Sequence, residues 1–296
     1  MIAKKIIYLS GLVLSLQVNA QTLPKQKLAV TFEHQQNLFN SAEKYQAISE
    51  QNINLEYQVA QHWQLSPAQR THISLSGQLQ KYQEFTFLDK KTLQLAAWYA
   101  WQNDFHYLSP FYLVAVKLAK NELEDEARNS QQLQLTALYQ QRINDRLKIQ
   151  TGLSHQITDA HNKVFERRIS QFFSHLKYVP NSKILYRLGL QIGWGKLGSS
   201  KYKNYCQYPA HESLYQNNAT YWYDTQLNYY DKKDNCKTWY SYQFDGRFTA
   251  LTAATELQIH ESLSAAIQYK KQWTRVVNSS ISYQQQQLTA ELNYRF

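Results

Sequence analysis

Gln287-Leu288-Thr289-Ala290-Glu291-Leu292-Asn293-Tyr294-Arg295-Phe296 closes the chain, and its residues alternate polar and apolar without a break. Successive side chains of a strand point to opposite faces. Leu288, Ala290, Leu292, Tyr294 and Phe296 therefore share one face, and Gln287, Thr289, Glu291, Asn293 and Arg295 share the other. The stretch predicts a strand that is greasy on one side and wet on the other. A water-soluble sheet could use the same pattern, so the rest of the chain has to say what the greasy side meets.

Residues 1–20 read as a secretory signal peptide. Lys4 and Lys5 supply the positive start, Ile6 to Leu16 the apolar centre, and Val18-Asn19-Ala20 an approximate small-residue cleavage site. The apolar run is short for a membrane anchor and is interrupted by Ser10, Ser15 and Gln17. The expected mature chain is 21–296, a single domain. No later stretch approaches the roughly 18 consecutive apolar residues that a membrane helix needs. If this chain lies in a membrane it must cross as a closed barrel.

Composition agrees with such a barrel. Mean hydropathy is −0.60, yet 14% of the residues are aromatic, with 23 Tyr against 8 Gly and 5 Pro. The C-terminal alternation ending on Tyr294 and Phe296, together with the export signal, resembles the closing strand of Gram-negative outer-membrane β-barrels. That resemblance implies an all-β fold: one closed antiparallel transmembrane β-barrel with short periplasmic turns and longer extracellular loops. It also implies location in the cell outer membrane, contact with outer-membrane lipids and lipopolysaccharide, and recognition of Phe296 by the barrel-assembly machinery.

Alternating segments between turn signals number about twelve, each long enough for a tilted membrane strand. They run from Lys27 to Phe39, Asn52 to Leu65, Arg70 to Phe85, Thr92 to Asn103, Phe111 to Asn121, Ser130 to Arg142, Arg146 to Ile157, Val164 to Tyr178, Lys183 to Trp194, Tyr242 to Ile259, Leu263 to Thr274 and Gln286 to Phe296. Connections alternate in kind, with only Asp104 to Pro110 somewhat longer among the short ones. Ser66 to Gln69, Ile143 to Asp145, Val179 to Ser182 and His260 to Ser262 are tight turns, whereas Asn40 to Gln51, Glu122 to Asn129 and the long segment at about 195–240 are looser. Trp63, Trp101, Tyr112, Tyr178 and Phe296 fall at one set of strand ends, and Trp194 and Trp273 at the other, where two aromatic belts are expected.

The period assigns faces. Ile53, Leu55, Tyr57 and Val59, Leu93, Leu95, Ala97 and Tyr99, and Ile184, Tyr186, Leu188, Leu190 and Ile192 form the outward side. Inward charges divide into a basic wall of Lys117, Arg142, Lys148, His175 and Arg187 and a largely acidic wall of Glu33, Glu56, Glu256 and Glu291. Such a wall would set up a field across a water-filled lumen. The bland alternative is that these charges pair across a narrow interior and fill it.

Formal net charge is +10, lowered by two when Lys4 and Lys5 leave with the signal. In an exported chain this points to anionic glycolipid outside or anionic solutes inside, and not to nucleic acid. Cys206 and Cys236 belong to a chain bound for an oxidising compartment, and a disulfide between them is expected to close the long loop. Thr220 to Tyr229 alternates enough to suggest a hairpin arm within that loop.

A search for chemistry finds little. His155-Gln156-Ile157 looks superficially like the His-x-Ser of outer-membrane phospholipases, but Ile157 stands where the nucleophile would be. Asp159 and His161 suggest the acid and His of a rim protease without a second acidic pair. The nine His are dispersed, so no metal or cofactor is expected. The resemblance implies a monomeric, non-enzymatic barrel, and its function is expected to be passive passage of small polar or anionic solutes. Behind that stands a plugged surface or structural barrel whose loops bind a ligand, and more remotely a lipid-modifying enzyme.

Overall fold

The computed structural model describes residues 24–42, 47–104, 106–204, 219–230 and 237–296. Thirteen strands form one antiparallel sheet: β1 (Lys25–Gln36), β2 (Glu50–Ser66), β3 (Gln69–Tyr82), β4 (Lys90–Gln102), β5 (Phe111–Leu123), β6 (Ser130–Arg142), β7 (Leu147–Ala160), β8 (Arg167–Asn181), β9 (Ile184–Asn204), β10 (Thr220–Tyr223), β11 (Lys237–His260), β12 (Leu263–Val276) and β13 (Ser282–Arg295). Twelve of them close a barrel, and the short β10 hangs on β11 outside the ring. One helical turn and a half, α1 (Thr225–Tyr230), follows β10.

The C-terminal alternating stretch makes the closure. β13 pairs with β12 on one side and β1 on the other, from Lys27 opposite Arg295 to Gln36 opposite Gln286. Within the ring every strand thereby has two neighbours, and the closed part of the sheet has no open backbone edge. Followed from partner to partner around the ring, the register returns to β1 displaced by about 16 residues, which tilts the strands by roughly 45° and sets a backbone radius of about 12 Å.

At one end the connections are tight. Asn144 Oδ1 accepts the backbone N–H groups of Arg146 and Leu147, and Asn181 Oδ1 those of Lys183 and Ile184, so each side chain builds its own turn. Register shifts at Gln64/Ser66, Tyr178/Asn181 and Gln258/His260 all fall at this rim. Pro180, which lacks an N–H for the ladder, sits inside one of them.

The opposite end is built differently from the expectation. β9 and β11 do not stop near Trp194 and Tyr242. They stay paired from Gly195 opposite Gly246 up to Asn204 opposite Lys237, so the connection between them is confined to 205–236. Thr220 to Tyr229 is not a hairpin arm either: β10 pairs with β11 and the chain then turns into α1. The strand expected to begin at Val164 begins at Arg167, because Lys163–Phe165 forms a 3-10 turn with Asn162 Oδ1 accepting from the Val164 N–H. Residues 1–23, Cys206 and Cys236 lie outside the described residues, and with them the expected signal peptide and disulfide.

Candidate functional site

Burial alternates along each strand and fixes the two faces. Leu75, Leu93, Leu118, Leu135, Leu153, Leu188, Leu251, Ile267, Leu288 and Leu292 are all exposed on the outside of the ring. Aromatic rings border this band near the tight-turn rim. Tyr99, Trp101, Tyr112 and Tyr139 stand in contact across β4, β5 and β6 with centroids 5.5–5.7 Å apart. Tyr178 stacks on Tyr186, and Tyr294 meets Phe296 edge-on at 4.8 Å. Monomeric proteins in water rarely expose a contiguous apolar surface of this kind.

The inward face is polar. Lys117, Arg142, Lys148, His175 and Arg187 lie on it, as do Glu33, Glu56, Glu256 and Glu291. Given the stagger, Glu56, Lys117, His175, Arg187, Glu256 and Glu291 occupy one girdle about half-way along the barrel. Inward cations that spacing did not single out are Lys25, Lys27, Arg70, Lys90, Arg167 and Lys177. From β3 through β9 no inward residue is a carboxylate, while Arg70, Lys90, Lys117, Arg142, Lys148, Arg167, Lys177 and Arg187 all face in. Inward carboxylates are confined to β11, β13, β1 and β2, and on this wall, which includes β12, Lys25, Lys27, Lys270 and Arg295 are interspersed among them. Lys27 and Glu291 approach to 3.6 Å across the β1–β13 seam and keep about a third of their side-chain surface exposed (32% and 34%), so solvent reaches this part of the interior.

Beside that pair a cavity of about 310 Å³ is lined by Lys27, Arg187, Glu256, Gln268, Thr289, Glu291, Asn293 and Arg295. Arg187 Nε, Thr289 Oγ1 and Asn293 Oδ1 are buried there without a protein partner. Buried polar groups are ordinarily hydrogen-bonded, so this cavity is one that water or a polar solute satisfies. Glycine shapes the adjoining wall, two residues along β9 from Arg187. The His175 ring lies against Gly189, where a Cβ would come within 2.5 Å of Nδ1, and any side chain at 189 would push the imidazole into the lumen.

The loop end is spanned. Phe39 of the β1–β2 connection, Phe87 of the β3–β4 turn, Leu227 of α1 and Trp239 of β11 form one buried cluster. The β3–β4 turn lies half-way round the ring from the β9–β11 hairpin. Contact between Phe87 and this hairpin's cluster therefore requires a bridge across the mouth: the Phe39 ring centroid lies 5.1 Å from that of Phe85 and 5.8 Å from that of Trp239, and Leu227 of α1 is buried in the same cluster.

Asp224 fastens that bridge. It is fully buried, its Oδ1 accepts the Leu227 N–H at 3.1 Å, and its Oδ2 accepts from Ser241 Oγ at 2.7 Å and from the Arg128 guanidinium. Arg128 comes from the β5–β6 turn. It also donates to Asp125 at 2.9 Å and lies 4.1 Å from the Phe165 ring centroid of the β7–β8 turn. Asn228 ties α1 to β11 through Trp239: its Oδ1 accepts the Trp239 N–H at 2.8 Å and its Nδ2 donates to the Trp239 carbonyl at 3.0 Å. Glu50, inward at the end of β2, holds the β3–β4 turn by accepting the N–H groups of Gln83, Glu84 and Phe85.

His155 is on the outside of the barrel, and its Nδ1 is 2.8 Å from Ser170 Oγ on β8, opposite it in register. The sequence reading looked along one strand and missed this cross-strand partner. Among the described residues no further group orients the imidazole, and no cluster of three His, Cys, Asp or Glu could hold a metal. Near the tight-turn rim His62 and His72 approach to 3.2 Å, with His72 stacked on Trp98.

No protein-family model matches the chain, and no curated protein matches it. Solved structures do match. An outer-membrane channel from Pseudomonas putida F1 is similar with a TM-score of 0.55 at 9% identity, over 94% of this chain and 97% of the channel. The NanC porin has a TM-score of 0.44 at 7% identity, over 90% and 98% of the two chains. The translocator domain of the autotransporter NalP from Neisseria meningitidis has 0.42 at 9%, over 94% and 91%. The likeness to the Pseudomonas channel is one of fold. The chain is a closed, twelve-stranded antiparallel barrel of the outer-membrane type.

Proposed function

We propose that this barrel spans the outer membrane, with its tight turns in the periplasm, and passes small polar solutes, anions preferentially, through a wet lumen covered on the outer side by a movable lid. The observation that carries the anion preference is the wall from β3 to β9, which is lined by cations without a single inward carboxylate. Carboxylates on the facing wall make the field transverse, so a solute with separated charges would be oriented as it passes. The apolar outward belt and its aromatic border support the membrane reading.

The experiment is a reversal-potential measurement on the refolded protein in a planar bilayer under a salt gradient. Anion selectivity is the expected result, and Lys148→Glu with Arg187→Glu shifts it toward cations. Selectivity unmoved by that double variant would contradict the reading.

The bridge over the mouth favours a second reading, a closed barrel that displays loops and conducts nothing. The two readings part at the lid: conductance that rises when the Arg128–Asp224 pair is broken supports the channel, and a folded, silent barrel in both forms supports the closed one. A catalytic role finds less support, because His155 and Ser170 satisfy each other within the apolar belt without a third residue, among the described residues, to position them.

A further inference from the structure

On the loop side, the outward face of the barrel ends in two groups of cations built in different ways. Over β3 to β5 the charges are met within the protein: Lys81 donates to Asp89 at 2.6 Å and Lys120 to Glu122 at 2.7 Å. Over β8 to β12 they are not. Arg168 stands opposite Lys196, and Arg247 stands opposite Arg275. Alternation puts all four outward, and none makes an ion pair among the described residues. The carboxylate in this patch is Asp245, opposite Lys196.

Like charges directly opposed across two strands repel. Two guanidinium groups so placed form a fork for an anion that takes several hydrogen bonds at once, as a phosphate does. What lies beneath them separates a lipid from a free ion. Trp194 is opposite Arg247, Trp273 is one pair below Arg275, and Ile192, Leu190 and Leu251 continue the face as exposed aliphatic surface. Two hollows, of about 490 and about 840 Å³, both open at Arg247 and Arg275, one toward the β12–β13 turn and one down past Trp273 and Ile192. Lys271, outward opposite Leu251, turns its ammonium toward the Trp273 ring at 5.3 Å, so its charge lies at the indole level; cations, then indoles, then aliphatics is the order in which an acylated lipid with a multiply charged head would meet them.

We propose that this face of β8 to β12 binds a phosphorylated acyl glycolipid of the outer leaflet, with Arg247 and Arg275 clasping one phosphate and Arg168 and Lys196 facing a second. The proposal rests on the reading of the chain as an outer-membrane barrel with its loops outward. The test uses the full chain refolded in detergent and titrated with bisphosphorylated lipid A, monophosphorylated lipid A, a zwitterionic phospholipid and inorganic phosphate, with bound lipid read by native mass spectrometry.

The bisphosphorylated lipid should bind tightest, and Arg247→Gln with Arg275→Gln should weaken it about tenfold, while Lys81→Gln with Lys120→Gln changes it by less than about twofold. Equal binding by the wild type and the arginine double variant overturns the proposal. So does displacement of the lipid by inorganic phosphate, which would make this a free-phosphate site. Insertion into phospholipid vesicles without lipid A is scored separately by heat-dependent gel mobility. A barrel that inserts but shows no arginine dependence defeats this proposal alone, whereas a chain that fails to insert defeats the membrane reading and this proposal with it.

Discussion

Asp224 carries a charge with no exposed surface, and its counter-charge comes from Arg128 in a different turn of the barrel. Removing one partner of a buried ion pair costs about 3–5 kcal/mol, because the other is left uncompensated. Arg128→Ala should therefore release the lid. Chymotrypsin would then cut at the exposed Tyr229, which in the wild type stays protected while α1 is docked; equal cleavage rates would mean that the pair does not hold the bridge. Nothing in the sequence marks this pair. The two residues are 96 positions apart and sit in connections where no period links residue to surface. The inward charges, by contrast, were legible one by one, because alternation alone tells Lys117 and Arg187 from their outward neighbours Val116 and Leu188. Lys27, Lys90 and Lys177 obey the same rule but lie near strand ends, where turn residues and aromatic rings obscure the period.

At the scale of elements, alternation holds where one face meets an apolar surround and the other a wet interior. It fades where both faces are covered. Tyr242, Gln243 and Phe244 are consecutive and all buried, because Tyr242 and Phe244 pack in a cluster with Leu197, Tyr283 and Ala42 of the β1–β2 connection while Gln243 donates to the Lys163 and Glu166 carbonyls of the β7–β8 turn. That is why both strands run well past the ends that a two-residue period predicts. Within the belt the face is decisive: Leu190→Arg should cost about 2–4 kcal/mol in urea-driven unfolding from vesicles, whereas Gln191→Arg, one residue on and inward, should cost far less. Equal penalties would refute the assigned faces. For β13, Phe296 donates its N–H to the Gln26 carbonyl at 3.1 Å, and its side chain, 68% exposed, touches only Tyr294 among the described rings. Deleting it should reduce the amount of barrel assembled in cells while leaving refolding in detergent unchanged, if its role is to be read by the assembly machinery. An equal loss in both settings would instead make it a structural residue.

Taken whole, the molecule combines two halves with different jobs. The half near the tight turns is a ring of long polar side chains over small ones such as Ser74, Ser76, Ala29 and Ala254, with solvent reaching the Lys27–Glu291 pair. The other half is stoppered by residues from four connections and the extended β9–β11 hairpin. The sequence announces the barrel, because closure follows from twelve strands that each have a wet and a greasy side. It is silent on the stopper, since bridging a mouth depends on which loops meet half-way round a ring.

The central claim is that a conducting, anion-preferring lumen lies beneath a lid latched by Arg128 and Asp224. Single-channel recording of the wild type beside Arg128→Ala in planar bilayers tests it most directly. The account predicts brief, anion-selective openings in the wild type and a several-fold larger open fraction with the same selectivity in the variant. Two correctly folded, inserted barrels that both carry no current would contradict it.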